Sequence, residues 1–282
     1  MLGLDVARRR LLSMAGLALG GLTGALGIAG CSTNRPSMPT PPEINRGAAA
    51  MAVVAQPPHA REQWTRLAAG NARFAAGKSG HERQDDPDLR RSQGNGANPY
   101  ACVLTCMDSR VPPELLFDAG LGDLVSVRTA GTTVDDVVVA SVELAVARLG
   151  VRLVLVLGHS DCAAIRTSVA QYAAENGDEA ARNAAGKTAP MPDQPENRVG
   201  VVTTQIGYSI RKTPPVDDPE VYLAKCIAMQ TVDAADRLRA RSELLERATQ
   251  ADGDDKVSLV PAVYDIGTGL VQRVTESRIL RD

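Results

Sequence analysis

Apolar and polar positions change period several times along the chain, and each change predicts an element. Leu11 to Gly30 carries no charge. From Ser32 to Pro58 there is no sustained apolar period, only frequent Pro, Ser, Thr and Ala, as in a linker. Trp64, Leu67, Ala68, Asn71 and Phe74 then recur near helical spacing, which predicts a helix over Arg61 to Ala75 with Gly77 as its stop. Residues 77–98 are polar and Gly-rich and read as loop. Tyr100 to Thr105 and Asp123 to Arg128 read as strands, with a short helix from Pro113 to Phe117 between them. Thr132 to Leu149 reads as a long helix whose apolar face is Val134, Val137, Val138, Ser141, Val142, Leu144 and Ala145, closed by Gly150. Leu153 to Leu157 is an uninterrupted Val/Leu run, the signature of a strand covered on both faces. Cys162 to Ala174 reads as helix, and residues 176–200 as a long inserted loop of Gly, Asn, Pro and charge. Pro219 to Thr249 is a long helix or a broken pair. Leu259 to Asp265 and Leu270 to Thr275 flank Gly267-Thr268-Gly269, a hairpin pattern. Strands alternate with helices, so the expected fold is α/β: a mostly parallel sheet flanked by helices, with one antiparallel edge strand.

Composition narrows the partners. The chain has 31 basic and 33 acidic residues, a net charge of −2, and no basic stripe to neutralise phosphates, so nucleic acid is not an expected partner. Aromatic residues make up only 3%, too few for stacking platforms.

The first residues read as an address. Arg8-Arg9-Arg10 precedes the uncharged run, the layout of a secretory signal, and paired arginines before a mildly apolar run resemble a twin-arginine signal. Ile28-Ala29-Gly30-Cys31 resembles a bacterial lipobox, in which Cys31 is lipidated and becomes the mature N-terminus. The competing reading is a membrane-spanning anchor, since about 20 apolar residues suffice to span a bilayer. The expected organisation is a signal peptide over 1–30, a lipid-anchored tether over 31–60 and a catalytic domain over 61–282. Such a protein would sit on the periplasmic or extracellular face of a bacterial cell membrane.

Two short stretches carry the chemistry: Cys106-Met107-Asp108-Ser109-Arg110 and Gly158-His159-Ser160-Asp161-Cys162. Each follows a predicted strand, and sites in open α/β sheets form at the carboxyl ends of strands. If those strands are neighbours, two thiols and one imidazole converge. Thiolate and imidazole favour zinc over magnesium or calcium. Three protein ligands leave one tetrahedral position open, as in catalytic zinc sites. A zinc ion with two thiolates and a neutral imidazole carries almost no net charge, so it should acidify water less than a three-histidine site does. Asp108 is the candidate proton acceptor, and Arg110 can pair with it in bidentate fashion and keep it ionised. Released by Arg110, Asp108 could instead move onto the metal and close the site. Cys102 and Cys226 read as buried thiols or as a pair in an oxidising compartment.

At these residues the chain resembles a β-class carbonic anhydrase, from about Arg61 to the C-terminus. Gly70-Asn71-Ala72-Arg73-Phe74, Arg128-Thr129-Ala130-Gly131 and Val263-Tyr264-Asp265 add to the resemblance. It implies that Cys106, His159 and Cys162 bind one zinc ion, that Asp108 and Arg110 form the catalytic dyad, and that Ser109 and Gly131 shape the substrate pocket. The implied reaction is reversible hydration of CO2 to bicarbonate and a proton by zinc-bound hydroxide. The implied assembly is a dimer or tetramer with the N-terminal helix packed on a neighbour. The chain departs from the family in Ala163-Ala164 after the second cysteine, in the 176–200 insertion and in the leader. His59 and His81 lie in predicted tether and loop, so no proton-shuttle histidine is evident. Two other readings stay open: a hydrolase of carbonyl sulfide or carbon disulfide on the same fold, and a zinc-stabilised surface lipoprotein without activity.

Overall fold

The computed structural model describes residues 60–188, 198–275 and 279. The leader, Cys31 and the tether therefore lie outside the described residues. Among the described residues no helix is long and apolar enough to cross a membrane.

In chain order the elements are α1 (Ala60–Ala75), α2 (Pro87–Ser92), β1 (Ala101–Cys106), α3 (Pro113–Leu116), β2 (Leu124–Thr129), α4 (Asp136–Leu149), β3 (Leu153–His159), α5 (Ala163–Asn176), α6 (Glu179–Ala185), α7 (Val199–Lys212), α8 (Pro219–Ala240), α9 (Glu243–Gln250), β4 (Ser258–Tyr264) and β5 (Val271–Arg273). Among the described residues five strands form one sheet, in the order β2-β1-β3-β4-β5. All neighbours are parallel except β4 and β5, so the expected antiparallel edge strand is present.

Side-chain alternation along the central strands explains how the sheet is covered on both faces. Cys102, Leu104, Val154 and Val156 point into a cluster built with α4, α8 and α9. Ala101, Val103, Leu153, Leu155 and Leu157 point the other way, against Leu67 of α1 and Leu116 and Phe117 at α3. Cys106 continues the row of Cys102 and Leu104 and reaches a further cluster made by α5, α6, α7 and α8. The buried face of α1 (Gln63, Leu67, Gly70 and Asn71) lies on its own chain, where Asn71 bonds Leu116, Gly269 and Val271.

The structure corrects three expectations. Residues 176–200 are not a plain loop: Gly177 ends α5 in a left-handed turn, Asp178 caps α6, and α7 begins at Val199. The buried face of α6 is Ala181, Ala184 and Ala185, whose small side chains leave no hydrophobic stripe to read. The polar stretch 77–98 contains α2, which Asp86 caps through the Asp88 and Leu89 N–H groups. The long helix begins at Asp136 rather than Thr132, because Gly131 and Thr132 are left-handed and Asp135 provides the cap. Val137 and Leu144 of its expected apolar face are exposed, at 74% and 59%, while Val139 and Val146 are buried in their place.

Candidate metal centre

Parallel pairing of β1 with β3 sets the two motifs side by side. Thr105 is registered with Leu157, so Cys106 and His159 leave adjacent strand ends. The loop after β3 is tied to β4: Ser160 N–H donates to Tyr264 O at 2.9 Å, and Ile266 N–H donates to Ser160 Oγ at 2.9 Å. That loop delivers Cys162 to the start of α5. The donor atoms of Cys106, His159 and Cys162 all lie within 4.8 Å of one another, and all three residues are buried.

The donors fit zinc in three respects. His159 Nδ1 lies 2.9 Å from Ser160 O; a carbonyl only accepts, so Nδ1 carries the proton and Nε2 presents a lone pair. That Nε2 is buried and has no hydrogen-bond partner among the described residues, an arrangement that costs free energy without a ligand. The two sulfurs are 3.9 Å apart. Sulfurs bound at about 2.3 Å to a tetrahedral ion would stand about 3.8 Å apart. The hydrogen bond from Cys162 holds the Cys106 thiol well below its usual value, and the same bond together with burial pushes Cys162 up. The Gly131 N–H also donates to Cys106 Sγ, at 3.4 Å.

Asp108 stands at the edge of this cluster, not in it. Arg110 grips it from two sides: Nε donates to Oδ1 at 3.0 Å and Nη2 to Oδ2 at 2.7 Å, while the Arg110 backbone N–H adds a bond to Oδ1 at 2.9 Å. These bonds hold the Asp108 carboxyl at about 2, so it is ionised at neutral pH. Asp108 Oδ2 lies 4.0 Å from His159 Nε2. The position of Asp108 as a metal ligand, expected once Arg110 lets go, is therefore not the one adopted here. Ser109 is exposed and makes no hydrogen bond among the described residues, whereas Gly131 is buried.

Three residues have supporting roles that the sequence did not assign. Asp161 binds Arg110 through both side chain and backbone: Nη1 donates to Oδ2 at 3.1 Å and Nη2 to the carbonyl at 3.0 Å. Asp161 is left-handed, with φ 54°. Arg128 donates to the carbonyls of Cys106 and Asp108, bracing the first motif. Gln230, on α8, donates to the carbonyls of Gly131 and Thr132. Asp161 sits inside the second motif and offers a charge opposite to Arg110, a signal that was readable. Gln230 is 99 residues from Gly131, and nothing local marks it.

A parallel α/β sheet with a two-cysteine, one-histidine cluster at its strand ends, and an Asp-Arg pair beside it, defines a candidate metalloenzyme. Comparison with known proteins gives the family. A family model described as carbonic anhydrase matches residues 101–271, more than half of the chain, and the chain belongs to that family. Carbonic anhydrase 2 of Mycobacterium tuberculosis is 45% identical over 107 residues, covering 38% of this chain and 51% of the relative. The carbonic anhydrase of Mycolicibacterium smegmatis is 46% identical over 106 residues, with the same shares, 38% and 51%. The chain thus spans about half the length of the curated relatives it matches. Among solved structures, a tetrameric β-carbonic anhydrase of Sordaria macrospora aligns with a TM-score of 0.53 at 16% identity, covering 76% of this chain and 97% of that one. A β-carbonic anhydrase of Aspergillus fumigatus gives 0.53 at 16% identity, over 78% and 95%. At these identities the structures establish the fold, which is that of the β class.

Proposed function

We propose that this chain catalyses the reversible hydration of CO2 to bicarbonate and a proton, with zinc held by Cys106, His159 and Cys162. One observation carries the reading. A carboxylate held ionised by a bidentate arginine stands 4.0 Å from the lone-pair nitrogen of a three-donor cluster. A structural zinc site needs neither Asp108 nor Arg110. When bound, zinc supplies a Lewis acid with one coordination position left for water.

The chain's own residues do the rest. Asp108, being ionised, only accepts hydrogen bonds, so it fixes the orientation of a reacting water and takes its proton's hydrogen bond. Arg110 aims the carboxylate and keeps it from entering the donor cluster. Asp161 holds Arg110 in turn. Arg110 is 42% exposed and Met107 66%, so the site opens to solvent on that side and the proton leaves there to buffer. His81 is exposed and bonds Gln84, in keeping with a surface role.

The test is stopped-flow hydration of CO2 by the zinc-loaded full chain. Asp108→Ala should lower kcat by about a hundredfold or more while one zinc per chain is retained. Zinc retention without hydration in the wild type would move the assignment to carbonyl sulfide, carbon disulfide or a binding role.

Residues 1–60 and self-association belong to the same proposal. Arg8–Arg10 and the uncharged run after them support export. The lipobox pattern at 28–31 supports acylation of Cys31, with residues 31–60 as a tether on the outer face of the cell membrane. Cys31→Ser should abolish metabolic labelling with palmitate and release the chain from the membrane fraction; unchanged partitioning would refute the anchor. Exposed apolar residues on α4 and α7 support a homodimer or tetramer.

A further inference from the structure

Gly131 and Thr132, which follow β2, are consecutive left-handed residues, with φ 62° and 57°. Glycine adopts this conformation freely; a β-branched threonine does so only when its surroundings enforce it. The enforcement comes from α8, 99 residues further along the chain. Gln230 is 2% exposed, and its Nε2 donates to Gly131 O at 3.3 Å and to Thr132 O at 3.5 Å. The amide is itself fixed. The Ser209 hydroxyl, fully buried on α7, is shared between Gln230 Oε1 at 2.8 Å and Asp233 Oδ2 at 2.7 Å. Asp233 is anchored by Lys212 Nζ at 2.7 Å. A second clamp flanks the first: Gln205 of α7 exchanges two hydrogen bonds with the backbone of Val134, at 2.6 and 2.9 Å. Ile206 closes over Gly131, where a Cβ would meet Ile206 Cδ1 at 2.7 Å.

All of this converges on one N–H. Because the turn is held left-handed, Gly131 N–H points at Cys106 Sγ, 3.4 Å away. A hydrogen bond to a thiolate draws electron density from sulfur and weakens its donation to a metal, and such outer contacts tune metal sites. We propose that Gln230, fixed by Ser209 and Asp233, is a positioning residue of the metal centre. It locks the Gly131–Thr132 turn and so sets the N–H···S bond that tempers Cys106 as a ligand. Helix α7, whose first two residues alone fall in the expected insertion, thereby becomes part of the metal site's support. The inference rests on the metal reading given above.

The test uses cobalt(II) as the probe in the full chain. Gln230→Met keeps the volume and removes the amide. The thiolate-to-cobalt charge-transfer band should move to longer wavelength, because sulfur without the N–H bond donates more strongly. The thermal midpoint of each loaded protein is recorded beside the band, since a merely structural residue would lower the midpoint and leave the band in place. A band that does not move overturns the proposal. If Gln230→Met does not fold, Ser209→Ala must give a smaller shift of the same sign, and no shift overturns the proposal equally. A wild-type chain with no thiolate band would overturn the metal reading and this inference with it.

Discussion

Asp161 holds two properties at one position. Its left-handed backbone turns the carbonyl toward Arg110 Nη2, and its carboxylate takes Nη1 and also Arg166. Hydrogen bonds from Arg110, then from Arg166, keep this carboxyl below the usual range against the opposing effect of burial. Asp and Asn tolerate the left-handed region far better than Ala does. Asp161→Asn therefore keeps the carbonyl contact and loses only the charge, whereas Asp161→Ala endangers both. The side chain is 61% exposed, so solvent screens the ion pair and its contribution is modest. Asp161→Asn should lower kcat for hydration about threefold and Asp161→Ala about tenfold, the latter equivalent to roughly 1.4 kcal/mol, with zinc content unchanged. Equal losses in both variants would show that the backbone conformation plays no part. Loss of zinc in either would show that Asp161 supports the metal ligands rather than Arg110.

At the scale of elements, α1 meets α3 and the following turn through Asp118. Its side chain is 3% exposed. Burial alone would raise its pKa, but the Gly80 N–H, Arg73 and the His81 N–H more than offset that and hold it below the ordinary value. A folded pKa below the unfolded one means that stability is present above the unfolded value, about 3.9, and is lost as pH falls through the lower, folded one. Asp118→Asn should thus cost about 1.5–3 kcal/mol at pH 7 and much less at the acid end of that window. Urea melts across that range check it; a penalty independent of pH would mean that shape, not charge, holds the junction. The same contrast between local and distant causes explains what was legible. β1 and β3 show as apolar runs because both faces of each are covered, and the two motifs stand at their ends. Capping at Asp86 and Asp178 used ordinary signals, but α2 and α6 are too short and too poor in large apolar residues to stand out. The turn at Gly131–Thr132 and its hold by Gln205 and Gln230 arise from contacts 71 to 99 residues apart, which no window on the chain spans.

For the whole molecule, the outward faces of α4 and α7 stand out. Val137 and Leu144 are seven residues apart on α4, and Val201 and Tyr208 are seven apart on α7. They are exposed by 74%, 59%, 67% and 51%. Seven residues is close to two turns, so each pair forms a stripe. The helices are coupled where Gln205 grips Val134, the residue just before the α4 cap. Scattered exposed apolar residues need no explanation, whereas paired stripes on coupled helices suit a partner surface. A second copy is the occupant that self-association requires, and a charge placed in such a face costs desolvation in the dimer and little in the monomer. Val137→Glu with Val201→Glu should therefore weaken dimerisation by about a hundredfold or more, an effect of roughly 3 kcal/mol. Sedimentation equilibrium over a concentration series measures it directly. If the double variant associates as the wild type does, the contact lies elsewhere, and the edge strand β2, which has a neighbour on only one side in this sheet, becomes the surface to substitute next.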